Sequence, residues 1–188
     1  MRNAAACLLL LFIVATVCAS ACAGGVTIRM LEVTRSDDTY VVNFDVLLAT
    51  TPAAARAILS DYKNWPRLAE NMGKPTLVKT FADGRQRIRL SIRSCVLFMC
   101  QTIRQLKDVW VRRNGDIVSV MISGESDFRS GRERWQIEPE QGRTRVRYHA
   151  EFVPSFSLLP LIGPWILKRE LRQTLINIAT NLEALAAP

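Results

Sequence analysis

The stretch Pro154-Ser-Phe-Ser-Leu-Leu-Pro-Leu-Ile-Gly-Pro164, continued by residues 165–185, decides the fold predicted for this chain. Apolar side chains recur after Pro164 at three- and four-residue spacing, which predicts a long amphipathic helix from Trp165 to Leu185. The apolar stripe of this helix consists of Leu171, Leu175, Ile178, Leu182 and Leu185. A stripe of that length needs a sheet to cover it, and the apolar loop before it should cover a cavity or touch a membrane.

The residues before this stretch alternate between apolar and polar side chains, as half-buried strands do. A first strand is predicted at Tyr40–Leu48, and Thr51 followed by Pro52 predicts a short helix that ends near Leu59. A second short helix is predicted near Trp65-Pro66. Tight turns then separate six further strands, at residues 76–81, 85–95, 101–112, 116–123, 132–138 and 143–152. The sequence therefore predicts an α+β domain in which a curved antiparallel β-sheet wraps around a long C-terminal α-helix, with two short helices after the first strand.

The first 21 residues have the pattern of an export signal. A basic start, an apolar core at residues 4–17 and the small residues Ala19-Ser-Ala21 predict cleavage after residue 21 and export to the periplasm. The alternative is a lipoprotein signal, in which Cys22 becomes the lipidated first residue. Residues 22–38 then form an N-terminal segment without a predicted element, and residues 39–186 form one domain.

Two of the five cysteines, Cys95 and Cys100, lie within the predicted domain. They bracket Val96-Leu-Phe-Met99 and fit the two ends of a hairpin loop, where paired residues lie about 4.5–5.5 Å apart. Export to an oxidising compartment predicts a disulfide between them. The alternative is a pair of buried free thiols.

The chain carries a formal net charge of +8, and the excess comes from arginines spread along strands. Such a charge suits nucleic acid, an anionic membrane surface or acidic ligands. Export and the absence of a basic motif studded with aromatic residues argue against nucleic acid. Most of these arginines are expected to form a solvated strand face, with Arg143, Arg145, Arg147 and His149 on one side of the last strand.

The order of these elements from Thr39 to Leu185 resembles the START-like or SRPBCC superfamily, in its polyketide cyclase/dehydrase and coenzyme Q-binding branch. The local similarities are Ser60-Asp-Tyr-Lys-Asn-Trp-Pro66, Gly131-Arg-Glu-Arg-Trp135, Gly142-Arg-Thr-Arg-Val146 and Leu161-Ile-Gly-Pro-Trp165. The resemblance implies a helix-grip fold with a hydrophobic cavity between the sheet and the C-terminal helix. Such a cavity would take up a lipid, an isoprenoid quinone, a sterol or a polyketide.

No residue pattern in the chain predicts catalysis. The single histidine, His149, falls on the arginine side of its strand, and no serine, threonine or cysteine is paired with a base by a recognisable motif. The spacing of cysteine, histidine and carboxylate residues predicts neither a metal site nor a bound cofactor. Glu133 is the exception, because strand alternation points it inward, where it could bind or protonate a ligand or pair with an arginine.

The inward positions of the strands and the stripe of the long helix supply the candidate ligand-binding residues. The same residues could equally fill a closed core, so the resemblance alone favours a cavity. Tyr62 and Trp65 are expected to pack the short helices on the sheet. The predicted ligand-binding residues are Phe44, Val46, Leu90, Ile92, Glu133, Trp135, Tyr148, Phe152, Leu171, Leu175 and Ile178.

Two apolar loops, at residues 96–99 and 154–164, are candidates for a lid or a membrane contact. They either cover the cavity or insert into a bilayer beside Arg93 and Arg104, and a cavity mouth could do both. The residues concerned are Val96, Leu97, Phe98, Met99, Leu158, Leu159, Leu161, Ile162 and Trp165.

The leading hypothesis is non-catalytic binding, and transfer, of a hydrophobic ligand in the cell envelope. One alternative is a cyclase or dehydrase that uses Glu133 or Tyr148 as its acid or base. The other alternative is a module that binds an envelope protein through its apolar loops. The sequence predicts no oligomeric state.

Overall fold

The computed structural model describes residues 25–96, 99–156 and 163–187, and for Val96 and Met99 it describes the backbone alone. The predicted export signal, Cys22, and the lid candidates at positions 96–99, 158, 159, 161 and 162 therefore lie outside the described residues or side chains. The strands are β1 (Thr27–Ser36), β2 (Thr39–Leu48), β3 (Thr76–Thr80), β4 (Gln86–Val96), β5 (Met99–Val111), β6 (Ile117–Met121), β7 (Phe128–Glu140) and β8 (Arg143–Pro154). The helices are α1 (Pro52–Ser60), α2 (Trp65–Leu68) and α3 (Gly163–Ala186), with a 3₁₀ turn at Tyr62–Asn64.

The strands form one antiparallel sheet in the order β1-β2-β8-β7-β6-β5-β4-β3, with β1 and β3 at its edges. The sheet curves around α3, whose Leu175, Ile178 and Leu182 are buried against it. This architecture confirms the predicted α+β helix-grip fold.

One strand, β1, was not predicted from the sequence. It occupies much of the segment 22–38, to which no element was assigned, and it pairs with β2 over nearly its full length. It is an edge strand, and of its ten residues only Val33 is buried in the core, with Leu31 packed partly against it. The register shift between Ile28 and Met30 interrupts its period of two, so its apolar residues do not alternate regularly along the strand.

Helix α1 begins at its predicted capping residue, and α2 begins at the predicted Trp65-Pro66. The Thr51 hydroxyl accepts a hydrogen bond of 3.2 Å from the Ala54 amide, and Pro52 occupies the first turn of α1. Asp61 caps the following turn by accepting from the Lys63 amide. Asn181 of α3 donates to the Leu68 carbonyl at 3.0 Å and so fixes α2 against the long helix.

The outer face of the sheet carries the arginines, as predicted. Three aspartates on that face are nearly buried beneath them: Arg87 pairs with Asp108, Arg134 with Asp116, and Arg145 with Asp45. Pairing of opposite charges explains how acidic residues lie under a basic strand face.

Cys95 and Cys100 are directly opposite each other in the β4–β5 pairing and form a disulfide, as predicted. The bond ties the two strands together immediately below the hairpin tip. In the part of the chain that the structure describes, no helix has the combination of length and apolarity that a membrane crossing requires.

Candidate ligand cavity

A cavity of about 140 Å³ lies between the inner face of the sheet, the short helices and α3. Its lining is mainly apolar. The sheet contributes Leu90, Ile92, Ser94, Ile103, Gln105, Lys107, Met121, Phe128, Glu133, Trp135, Tyr148 and Phe152; the short helices and the turn after them contribute Leu59, Trp65, Leu68, Asn71 and Met72; and α3 contributes Leu167, Glu170, Leu171, Thr174, Leu175 and Ile178.

Nine of the eleven residues predicted to bind a ligand line this cavity. The remaining two, Phe44 and Val46, lie in the closed core, with 2% and 1% of their surface exposed. They belong to β2, where α3 packs directly on the sheet, while α1 covers the neighbouring β8. Alternation placed both residues on the correct face, but it does not show where along that face the packing leaves space.

The wall formed by β5 to β8 carries a polar cluster, which we define as Lys107, Ser119, Glu133 and Tyr148. Glu133 points inward, as its position in the alternation predicted, and accepts hydrogen bonds from the other three members. The Lys107 ammonium lies 2.7 Å from the carboxylate, and the Tyr148 hydroxyl lies 3.2 Å from it. Only 4% of the Lys107 side chain and 13% of the Glu133 side chain are exposed, so the cluster contains a buried ion pair.

Burial and pairing act in opposite directions on the Glu133 carboxyl. Burial raises its pKa, but the charge of Lys107 and the hydrogen bonds from the cluster outweigh burial and hold the pKa below its ordinary value. Burial, followed by the neighbouring Glu133 charge, raises the pKa of Tyr148 well above its ordinary value. At neutral pH the cluster therefore contains a carboxylate and a neutral phenol.

Sequence reasoning missed the two buried polar residues of the cavity, Gln105 and Lys107, as well as the half-buried Asn71, Ser94, Glu170 and Thr174. The two buried residues belong to β5, where Ile103, Gln105, Lys107 and Val109 alternate with residues of the outer face. This alternation is visible in the sequence. Lysine and glutamine are usually exposed, however, so their inward position can be assigned only once it is known which face of β5 is buried. Lys107 is tolerated there because Glu133 neutralises it and because the Trp65 ring lies 4.6 Å from its ammonium.

Trp65 both packs and lines the cavity. Its ring nitrogen donates to the Leu59 carbonyl at 3.1 Å, which fixes α2 to the end of α1, while the ring covers Lys107. The sequence predicted only the packing. Tyr62 is half-buried and is not part of the cavity lining.

The remaining predicted residues lie away from the cavity lining. His149 is exposed on the outer face, as predicted, and its ring contacts Asn43 there. Trp165, a lid or membrane candidate in the first turn of α3, is 62% exposed, and the Arg169 guanidinium lies 5.8 Å from its ring. An exposed tryptophan beside an arginine is a composition that favours membrane interfaces.

The buried carboxylate predicts how stability depends on pH. Because the Glu133 pKa is lower in the folded than in the unfolded chain, its contribution is present above the ordinary value of 4.5 and is lost as the pH falls below it. Between pH 6 and pH 3, we expect the free energy of unfolding to decrease less in Glu133→Gln than in the wild type, as measured by urea denaturation. Glu125→Gln, at a side chain that is 60% exposed, is the control. An equal loss in the wild type and Glu133→Gln would contradict the prediction.

The sequence model of the polyketide cyclase/dehydrase and lipid transport family matches residues 30–183. No curated protein matches the chain.

Solved structures with the same fold include proteins of different activity. A START superfamily protein from Mycobacterium smegmatis is 21% identical, with a TM-score of 0.62 over 78% of this chain and 96% of that one. The Zhui aromatase/cyclase from Streptomyces sp. R1128 is 12% identical, with a TM-score of 0.65 over 78% and 93%. Human StAR-related lipid transfer protein 5 is 12% identical, with a TM-score of 0.56 over 83% and 86%. At these identities the likeness shows a shared fold.

Proposed function

Since the chain belongs to the polyketide cyclase/dehydrase and lipid transport family, whose fold binds hydrophobic ligands, we propose that it is a non-catalytic carrier of a hydrophobic molecule in the cell envelope. The observation that carries this proposal is the cavity itself: an apolar space between the sheet and α3, bordered by a small, internally paired polar cluster. Most ligand pockets have this composition, with apolar walls and a few fixed polar groups.

The polar cluster is poorly suited to acid–base chemistry. An efficient catalytic group has a pKa near the working pH. The pKa of Glu133 lies below its ordinary range, because of its three hydrogen bonds and the Lys107 charge, and that of Tyr148 lies well above its own. Both shifts move away from neutrality. This favours binding over the cyclase or dehydrase alternative.

The size of the cavity indicates that uptake involves opening. Protein cavities of roughly 150 Å³ accept a molecule the size of benzene, so about 140 Å³ would hold only part of a lipid or isoprenoid chain. A longer ligand would need α3 or the short helices to move outward from the sheet. Each buried methylene then contributes about 0.8 kcal/mol, so that ten would suffice for micromolar affinity.

The proposal is tested by native mass spectrometry of the mature protein purified gently from its own cell envelope. We expect one class of small hydrophobic molecule retained at near one-to-one stoichiometry and identified after organic extraction. A protein that carries nothing and also fails to take up added phospholipids or quinones would contradict the carrier function. It would favour the protein-binding alternative.

We further propose that ligand enters at a membrane surface through the apolar loops at residues 96–99 and 154–164. Insertion of Leu97 and Phe98 would be favoured by several kcal/mol, and exposed Arg93 and Arg104 could pair with lipid phosphates. The double variant Leu97→Asp/Phe98→Asp should lose flotation with vesicles that contain phosphatidylglycerol. Leu77→Asp/Val78→Asp, at exposed positions of β3, is the matched control and should float as the wild type does. Flotation of both variants would exclude the docking role of the hairpin tip.

A further inference from the structure

The members of the polar cluster pair with one another. The Glu133 carboxylate already accepts from Lys107, Ser119 and Tyr148. The Lys107 ammonium, 2.7 Å from the Glu133 carboxylate, neutralises its negative charge. A ligand charge placed against this cluster would be buried there without a counter-charge, which is strongly unfavourable; the remaining charged residue of the lining, Glu170, lies on α3 and is only half-buried. The cluster therefore favours a neutral molecule.

Gln105, next to Lys107 on the inner face of β5, differs from the cluster. It lines the cavity, only 5% of its surface is exposed, and its carbonyl oxygen Oε1 has no hydrogen-bond partner among the described residues. Such a buried, unpaired acceptor is destabilising and uncommon. It becomes favourable when an incoming group donates to it.

We infer that Gln105 selects ligands with a hydrogen-bond donor, so that the cargo is a neutral, largely apolar molecule with a hydroxyl or an N–H group. This inference rests on the proposed carrier function and specifies its ligand class. An ether, ester or ketone of the same shape offers only acceptors and leaves Oε1 unpaired. Selection by a site that must pair its own polar group is stronger than selection by apolar fit alone.

The test compares two probes that differ in one donor, 4-hexylphenol and 4-hexylanisole, by isothermal titration calorimetry on the mature protein. The anisole is the more apolar molecule, so a cavity that selected by hydrophobicity alone would bind it better. We expect the wild type to bind the phenol about tenfold more tightly, the effect of one well-formed hydrogen bond to a buried acceptor.

The variant Gln105→Met keeps the length of the side chain and removes the acceptor. It should bind the anisole as the wild type does and lose the preference for the phenol. Its unliganded form should unfold at the same temperature as the wild type or a higher one, whereas a structural role for Gln105 would lower that temperature. Gln101→Met, an exposed position on the same strand, is the control and should retain the preference.

Each outcome separates this inference from the carrier function. Equal affinity of the wild type for both probes, or a preference that survives Gln105→Met, would overturn the role of Gln105 and leave the carrier intact. Binding of neither probe would overturn the inferred ligand class, whereas the carrier function is decided by the mass spectrometry of the envelope protein and by its uptake of phospholipids or quinones. A preference for the phenol that disappears only in Gln105→Met supports the inference.

Discussion

Leu171→Trp should eliminate measurable binding of 4-hexylphenol, as followed by isothermal titration calorimetry. Leu171 lines the cavity from α3 and is half-buried, so an indole at this position would occupy the space a ligand needs. The expected loss of stability is modest, about 1–3 kcal/mol, because the larger side chain fills existing space before it strains its neighbours.

The matched control for this variant is Leu77→Trp. Leu77 lies on β3, is 43% exposed and is not part of the cavity lining, so the same substitution there should leave affinity unchanged. If Leu171→Trp folded and bound 4-hexylphenol with wild-type affinity, the ligand would have to bind elsewhere on the protein.

Lys107→Met is expected to lower the free energy of unfolding by about 3–5 kcal/mol at pH 7, measured by urea denaturation. The substitution leaves the Glu133 carboxylate buried without its charge partner and removes the cation that lies against the Trp65 ring. Burial then acts on the carboxyl with less opposition, so the Glu133 pKa should rise.

The double variant Lys107→Met/Glu133→Gln isolates the effect of the two charges, because the Gln amide can still pair with the Ser119 and Tyr148 hydroxyls. Since it removes both charges together, it should recover most of the stability that Lys107→Met loses. Arg104→Met is the control for the loss of a surface cation. Since 75% of that side chain is exposed, its free energy of unfolding should change by less than about 1 kcal/mol. A double variant no more stable than Lys107→Met would show that the charges themselves are not responsible.

The sequence predicted the elements that have a regular side-chain period or turn residues at their ends. The helical period of its apolar stripe predicts α3, with Leu175, Ile178 and Leu182 on the buried side. The strands β2 to β8 are predicted from side-chain alternation and from turn residues. The strand β1 was not recognised, because the irregularity between Ile28 and Met30 interrupts the alternation of its apolar residues.

The candidate site was predicted less completely than the fold, for two physical reasons. Periodicity gives the face of a residue but not the local packing density, which is why Phe44 and Val46 were included although they belong to the closed core. Polar residues at inward positions depend on partners from distant strands: Lys107 becomes tolerable only beside Glu133, which is 26 residues further along the chain. Such pairing is a property of the folded sheet.

The open sheet leaves β3 as an unpaired edge, and this bears on how the protein behaves at high concentration. All five residues of β3 are exposed, and the backbone groups along its outer edge can pair with a strand of another molecule. Lys79 lies within this strand, and Lys79, Arg85 and Arg87 surround the adjacent Phe81 ring at 4.8–5.3 Å. Like charges repel when two such edges approach, so this cationic border should oppose edge-to-edge aggregation, most effectively at low ionic strength.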